Sequence, residues 1–366
     1  ILQKMIQFTS KSLRHISMKE HYRVIMELGS GSYGHVLQVE HKAQDKAMAL
    51  KLMRKKSTKK ERFLMEYCVS LCLSSHPNII GTLRLAFETN KYFAFAQELA
   101  TAGDLYSILE PGVGLSETMV KRCAMQLAEA LDFMHSKALV HRDVKLDNIL
   151  IFDKDCHLIK LADFGLTRLE GFLLSPMSGT LPYSAPELCS LEESETLELD
   201  SSLDVWAFGV LIFCILCGCF PWDTALCSDK QYEDFALWQS NQDYLDVPSP
   251  WKQFTHQALD MFQKLLTINP DKRRPAIEVQ KYLKKIHELP DSLQKHPPLQ
   301  NRPPAPLNRP PAPIKSPAPI KSPAPIKSPA PIKSPATIKS PAPPPPLNRP
   351  PPAPLKSPAP PPPLNR

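Results

Sequence analysis

Residues 141–148 read His141-Arg142-Asp143-Val144-Lys145-Leu146-Asp147-Asn148, and fifteen residues beyond the asparagine stands Asp163-Phe164-Gly165. A tripeptide such as Asp-Phe-Gly recurs by chance in many chains. An aspartate, an asparagine five residues on and a second aspartate after a short hairpin make a far more specific set. Asp143 has the chemistry to accept a proton from an attacking hydroxyl. Asn148 and Asp163 carry the oxygens that hold magnesium beside phosphate groups. The stretch therefore points to phosphoryl transfer, with Asp143 as base and Asn148 and Asp163 as metal ligands.

Upstream lies Leu28-Gly29-Ser30-Gly31-Ser32-Tyr33-Gly34-His35-Val36. Apolar residues precede it (Val24, Ile25) and an alternating Val36, Leu37, Val39 follows. Glycines at 29, 31 and 34 let backbone amides approach phosphate oxygens with no side chain between. The same glycine pattern also marks dinucleotide sites, but there a helix must follow the last glycine. Here the following residues alternate as a strand does, so a hairpin closing over phosphates is expected, with Leu28 to Val36 in contact with nucleotide.

Ala47-Met48-Ala49-Leu50-Lys51 reads as the next strand, ending on a lysine suited to α- and β-phosphates. Glu66 lies in Phe63-Leu64-Met65-Glu66-Tyr67-Cys68-Val69, which has helical apolar spacing, and is the expected ion-pair partner of Lys51. Glu61 precedes the apolar run and belongs at a solvated first turn. After Gly179-Thr180-Leu181-Pro182-Tyr183-Ser184 comes Ala185-Pro186-Glu187, and Arg273 in Asn269-Pro270-Asp271-Lys272-Arg273 is its expected bidentate partner, with Arg274 as the solvated neighbour.

These motifs, in this order over residues 21–288, resemble the eukaryotic protein kinase family. Lys145, two residues after the base, follows the serine/threonine pattern. Leu131-Asp132-Phe133-Met134-His135, Lys160-Leu161-Ala162-Asp163-Phe164-Gly165 and Asp204-Val205-Trp206-Ala207-Phe208-Gly209 look closest to the SH3-domain-binding kinases. The resemblance implies an α+β, two-lobed fold with a small β-rich lobe and a larger helical one. It implies ATP and Mg2+ as cofactors and serine or threonine side chains of proteins as substrates. Asp143 and Lys145 become the catalytic residues, and Lys51, Glu66, Glu98 and Ala100 join the glycine loop around the nucleotide. Gln97 takes the gatekeeper position, with Glu98 to Ala100 as the hinge facing adenine and Asp104 near the ribose. Asp104, Asp147 and Glu233 fall where kinases of basic substrates place carboxylates. A phosphate between Gly165 and Gly179, at Ser175 or next at Ser178, would pair with Arg142.

Composition separates two materials. From Pro290 onward there are eleven Lys/Arg and one acidic residue, a balance of +10, which leaves −3 of the chain's +7 for the rest. The globular part thus has no nucleic-acid footprint. Nine cysteines and no secretory signal at Ile1-Leu2-Gln3-Lys4-Met5 suggest free thiols in a reducing, cytoplasmic setting. Cys214, Cys217 and Cys219 read as core thiols within the uncharged run Val205 to Phe220, a buried helix that falls short of the roughly 20 residues of a membrane span.

The organisation expected is an extension over 1–20, a catalytic domain over 21–288 and a disordered tail over 289–366. Thirty of the chain's forty prolines lie between Pro290 and Arg366, with no glycine and no aromatic residue among them. Such a segment cannot bury enough apolar surface to offset its ordering entropy, and polyproline II character follows. Pro310 to Lys315 and Pro351 to Lys356 have the proline spacing and flanking lysine that SH3 domains recognise. A rival reading makes the chain a catalytically silent scaffold that recruits SH3 proteins. Such a scaffold would usually have lost the lysine or one of the two aspartates, and all three are present.

Overall fold

Along Tyr92–Gln97 the aromatic residues Phe93 and Phe95 join one buried cluster while Ala94 and Ala96 join another, the alternation that a strand with two covered faces requires. That strand is β6 of a six-stranded sheet comprising β1 (Arg14–His15), β2 (Tyr22–Ser30), β3 (Gly34–His41), β4 (Lys46–Arg54), β5 (Thr82–Glu88) and β6 itself. The order across the sheet is β1-β5-β6-β4-β3-β2, antiparallel throughout except for β1 beside β5. The hairpin expected around the glycine loop is β2 and β3, with Gly29 opposite Val36. The computed structural model describes residues 1–176, 181–241 and 246–283. Ser178, the proline-rich segment and its two SH3-type motifs lie outside the described residues.

Two helices precede β2: α1 (Leu2–Ser12) and the single turn α2 (Met18–His21). The residues expected to form an extension therefore contribute a helix and an edge strand to the small lobe. Helix α3 (Lys60–Leu73) covers the face formed by Met53, Phe93 and Phe95, and Phe63 stacks on Phe93 at 5.1 Å. Glu66 is buried within α3, whereas Glu61 is exposed in its first turn.

The large lobe is helical. It is built from α4 (Glu117–His135), the short turn α5 (Pro186–Cys189), α6 (Ser202–Cys217), α7 (Lys230–Ser240), α8 (His256–Leu265) and α9 (Gln280–Leu283). Short strands β7 (Leu139–Val140), β8 (Ile149–Ile151), β9 (Ile159–Leu161) and β10 (Arg168–Leu169) hold the loops between α4 and α5. All sixteen residues of α6 are buried, as expected of a helix that is apolar on every side. Aromatic rings surround it, with Trp251 at 4.8 Å from Phe213 and 4.7 Å from Phe235.

Gly218, at φ 71, terminates α6 in the left-handed cap that glycine favours. The buried helix therefore ends before the uncharged run does, and one expectation changes. Cys214 and Cys217 are core thiols, but Cys219, carried past the cap, is exposed. All nine cysteines are free. Among the described residues no helix is long and apolar enough to cross a membrane.

Arg273 ties the loop before α9 to α5. Its guanidinium holds Glu187 bidentately, at 2.8 and 3.0 Å, and donates further to the carbonyls of Ser202 and Thr267 at 2.9 Å. It also lies over the Trp206 ring at 5.0 Å, while Arg274 is exposed. A buried charge pair is costly to break because the remaining partner stays desolvated. Arg273→Met is thus expected to lower unfolding free energy by about 3–5 kcal/mol in urea titrations. A loss below about 1 kcal/mol, the range of an exposed pair, would mean the contact is not structural.

Candidate active site

Strand alternation turns Met48, Leu50 and Leu52 to one face of the sheet and Lys51, with Met53, to the face covered by α3. A buried ammonium must find anionic partners there. Lys51 Nζ donates to Glu66 Oε1 at 2.5 Å and to Asp163 Oδ1 at 3.1 Å. Burial opposes its charge, but the two carboxylates outweigh that and raise the Lys51 pKa. Burial also raises Glu66, against the pull of Lys51. For Asp163 burial is again overcome, by Lys51 and the Gly165 amide, and the carboxyl falls to about 2. A lysine, a helix of the small lobe and the Asp-Phe-Gly stretch of the large lobe thereby meet at one nitrogen.

The glycine loop closes over this point. Tyr33 lies with its ring 4.9 Å from Lys51 Nζ. Gly34 has φ 149, and a Cβ there would fall 1.9 Å from the Leu52 carbonyl oxygen, so only glycine fits. A Cβ on Gly29 would meet nothing within 4 Å, which leaves its backbone open on one side. Arg54 fastens the loop. Its amide donates to the Tyr33 carbonyl at 2.8 Å and its Nη1 to that of Gly31 at 2.9 Å. His35 sits between Arg54 Nη2, at 3.1 Å, and Glu27, at 3.3 Å. Leu28 is exposed, and Val36 stands opposite Lys51 in the β3–β4 register.

At the edge of β6, Gln97 Nε2 reaches Thr82 Oγ1 at 3.5 Å. The Glu98 amide donates to the Gly81 carbonyl, and its carboxylate accepts from the Gly81 amide and Lys160 Nζ, each at 2.6 Å. The Glu98 side chain is thus engaged within the protein, and the segment through Ala100 is half-buried. Asp104 accepts from the Ser107 amide at 2.8 Å and, raised by burial, also feels the charge of Asp147. Glu233, on α7, pairs with Lys230 at 3.0 Å.

Opposite Lys51, the loop after β7 is held from behind by a residue whose part the sequence did not reveal. Asp204, fully buried at the start of α6, accepts from the amides of His141 at 2.8 Å and Arg142 at 2.9 Å, and contacts His135 Nε2 at 2.8 Å. Burial pushes the Asp204 carboxyl up, but His135 and the Arg142 amide outweigh it and the group sits below the usual carboxylate range. His141 is also fully buried; its Nε2 donates to the Ala162 carbonyl and its Nδ1 accepts from the Asp143 amide at 3.1 Å. Asp143 then meets Lys145 Nζ at 3.6 Å and Asn148 Nδ2 at 3.1 Å.

The donor set suits a hard divalent cation. Asn148 uses Nδ2 on the Asp143 carbonyl and carboxylate, at 2.8 and 3.1 Å, which leaves its Oδ1 as the available oxygen. Asp163 uses Oδ1 on Lys51, with Oδ2 as its second oxygen. One carboxylate and one amide oxygen, completed by waters and phosphate, are what magnesium accepts. Arg142 donates to the Leu166 carbonyl at 2.9 Å and shares the Phe172 ring with Arg168, each 5.7 Å away. Ser175 is exposed on the same segment.

Comparison with known proteins agrees with this geometry. The protein kinase domain model matches residues 22–283. Serine/threonine-protein kinase SBK1 of Danio rerio is 50% identical over 279 residues, covering 76% of this chain and 72% of the relative. The protein of the same name from Mus musculus is 46% identical over 297 residues, 81% of this chain and 70% of the relative. Serine/threonine-protein kinase SBK2 of Rattus norvegicus is 40% identical over 284 residues, 77% and 78% of the two chains.

Asp204→Asn tests the support beneath the loop. An asparagine offers a single acceptor oxygen, so one buried amide loses its partner at about 1–3 kcal/mol. Because the Asp204 pKa is depressed, its contribution is present above the unfolded value of about 4 and fades as pH falls below it. The stability gap between parent and variant, measured by urea unfolding, should therefore narrow on acidification below about pH 4. A gap that is constant with pH would contradict the assignment.

Proposed function

The chain belongs to the protein kinase family, with the serine/threonine kinases of the SH3-domain-binding group, and from that premise we propose how its residues divide the work. It is a protein serine/threonine kinase that uses ATP. The observation that carries the assignment of roles is the single ammonium of Lys51 shared by Glu66 and Asp163. A lysine held so firmly presents a fixed charge to the α- and β-phosphates. The amides of the Leu28–Val36 loop lie beside them, and the Glu98–Ala100 backbone meets the adenine.

The acceptor hydroxyl oxygen attacks the γ-phosphorus, the bond to the β,γ-bridging oxygen breaks, and the hydroxyl proton passes to Asp143. Lys145 offsets the negative charge on the transferred group and steadies Asp143. Asn148 and Asp163 are the residues that would hold magnesium, which supplies charge neutralisation at the phosphates. Most of the rate then comes from fixed charges aimed at the reacting atoms, with little reorganisation at the moment of transfer. The nine free cysteines support a reducing cytoplasmic location, which cell fractionation tests.

We assign residues 289–366 to recruitment of SH3 domains through Pro310–Lys315 and Pro351–Lys356, on the sequence pattern alone.

Asp143→Asn is expected to retain ATP binding and to lose transfer by about three or more orders of magnitude, since only proton acceptance and hydroxyl placement change. Initial rates with an acceptor peptide chosen from a serine/threonine peptide array check this. Phosphorylation at the parental rate would overturn the role of Asp143 as proton acceptor, and absence of transfer by the parent itself would favour the silent-scaffold reading. For the tail, Lys315→Glu with Lys356→Glu should abolish pull-down of the full chain by SH3 domains while peptide phosphorylation is unchanged. Persistent capture would move the docking site elsewhere.

A further inference from the structure

Helix α3 is buried over most of its circumference. Phe63, Leu64, Glu66, Tyr67, Cys68, Val69, Ser70 and Leu73 are all buried, and at 100° per residue they leave only the stripe of Glu61, Met65 and Cys72 without a buried position. Such a helix needs cover from more than one element. The sheet covers Phe63 and Tyr67, and the large-lobe core takes Val69 and Leu73. The remaining cover is α1.

The two helices run antiparallel in contact. Lys60 Nζ donates to the Ser10 carbonyl at 3.3 Å, Cys68 Sγ meets Thr9 Oγ1 at 3.8 Å, and Cys72 Sγ meets Met5 Sδ at 3.5 Å. Positions 60, 64, 68 and 72 form one stripe of α3, each a turn beyond the last. On α1, Leu2, Met5 and Ile6, with Leu13 just beyond its end, pack on the cluster that contains Leu64, Tyr67 and Cys68. Lys4, Gln7, Phe8 and Lys11 point outward and are exposed. At 100° per residue, position 66 is about 200° from positions 64 and 68. Helix α3 therefore has α1 on one side and Lys51 on the other.

The far end of α1 is fixed as well. Arg14 and His15 pair with Phe87 and Glu88, the Ile16 amide donates to the Glu88 carbonyl at 2.9 Å, and His15 Nε2 lies 2.9 Å from Asn90 Oδ1. An α1 stapled to the sheet edge cannot slide along α3; it can only sit on it or leave it.

We propose that α1 is a positioning element for phosphoryl transfer, whose apolar face clamps the outer side of α3 and so holds Glu66 against Lys51. The inference rests on the roles given above to Lys51 and Glu66 and adds the control of that pair by residues 1–13. Without α1, Leu64 and Cys68 face water, and α3 relieves that exposure by turning or swinging, which draws Glu66 away from Lys51. Met5 and Ile6 are the positioning residues, acting through α3 and touching no substrate.

A mutant cycle in the full chain tests this, with turnover on the array-selected peptide and ATP titrations as readouts. Glu66→Gln and the double variant Met5→Glu/Ile6→Glu should each lower kcat/KM about tenfold or more, with a raised KM for ATP. The triple variant should fall no further than Glu66→Gln alone, because both lesions break one contact. Phe8→Ala, on the outward face, and Met5→Leu/Ile6→Leu should keep parental activity. A synthetic peptide of residues 1–13 should restore turnover to a chain lacking them. Where the glutamate variant fails to fold by circular dichroism, Met5→Ala/Ile6→Ala replaces it in the same cycle. A triple variant that loses the same factor again shows that α1 merely stabilises the lobe and overturns the proposal. So does a fully active α1 variant beside an inactive Glu66→Gln. Full activity of Glu66→Gln instead overturns the reading of the Lys51–Glu66 pair, and the proposal with it.

Discussion

The arrangement of the two lobes depends on one buried ammonium. Lys51 is held on a strand of the small lobe, yet its two partners come from α3 and from the segment after β9 in the large lobe. Desolvating a lysine and two carboxylates is expensive, and the pairings offset that only when all three groups are in place. The contact is therefore conditional by nature. Withdrawal of either carboxylate removes one of the two partners of an ammonium that is itself buried. Sheet, helix and Asp163 segment are thus locked into one relative position by electrostatics, where ordinary apolar packing would tolerate sliding.

Across the cleft the constraint is of a different kind. Arg142 and Asp163 have φ values of 72 and 64, in the left-handed region that non-glycine residues rarely occupy. Such backbone persists only where its surroundings over-determine it. At Arg142 the surroundings are the Asp204 carboxylate, which binds the 141 and 142 amides together, and the carbonyl of Leu166. At Asp163 they are Lys51 and the burial of the neighbouring Phe164 against His141, 5.3 Å between ring centroids. The wholly buried α6 carries Asp204, so the strained backbone after β7 is held by a helix with every residue buried.

The sequence showed mainly what is local. The hairpin around the glycine loop and the choice of Glu66 over Glu61 were legible because periodicity marks them, while the Arg273–Glu187 pair, 86 residues apart, was legible only from side-chain chemistry within two motifs. The role of Asp204 was not, since its partners stand more than sixty residues away and nothing in Asp204-Val205-Trp206 records them. Cys219 was misjudged because hydropathy does not show that Gly218 turns the chain out. Helix α1 is the instructive miss. Leu2, Met5, Ile6, Thr9 and Leu13 have helical spacing, but the eleven residues of α1 without a partner make a marginal helix, and the partner lies about sixty residues on in α3.

That dependence explains an asymmetry between the lobes. In the large lobe the central helix is buried by many elements at once, and removing any one leaves it covered. In the small lobe α3 is covered by the sheet, by α1 and, at Val69 and Leu73, by the large-lobe core, and its functional group points away from α1. Glu66 is accordingly sensitive to anything that changes the balance between them. A helix buried on both sides and tethered by charge on one has two stable responses to losing its outer cover. It can shift and break the charge pair, or stay and expose Leu64 and Cys68 to water. With Leu64 and Cys68 together exposing on the order of 100 Å² or more of apolar surface, at about 25 cal/mol per Å², the hydrophobic penalty is comparable with what a single charge-assisted hydrogen bond contributes. Two terms of similar size and opposite direction make α3 the part of this fold whose position is most open to control.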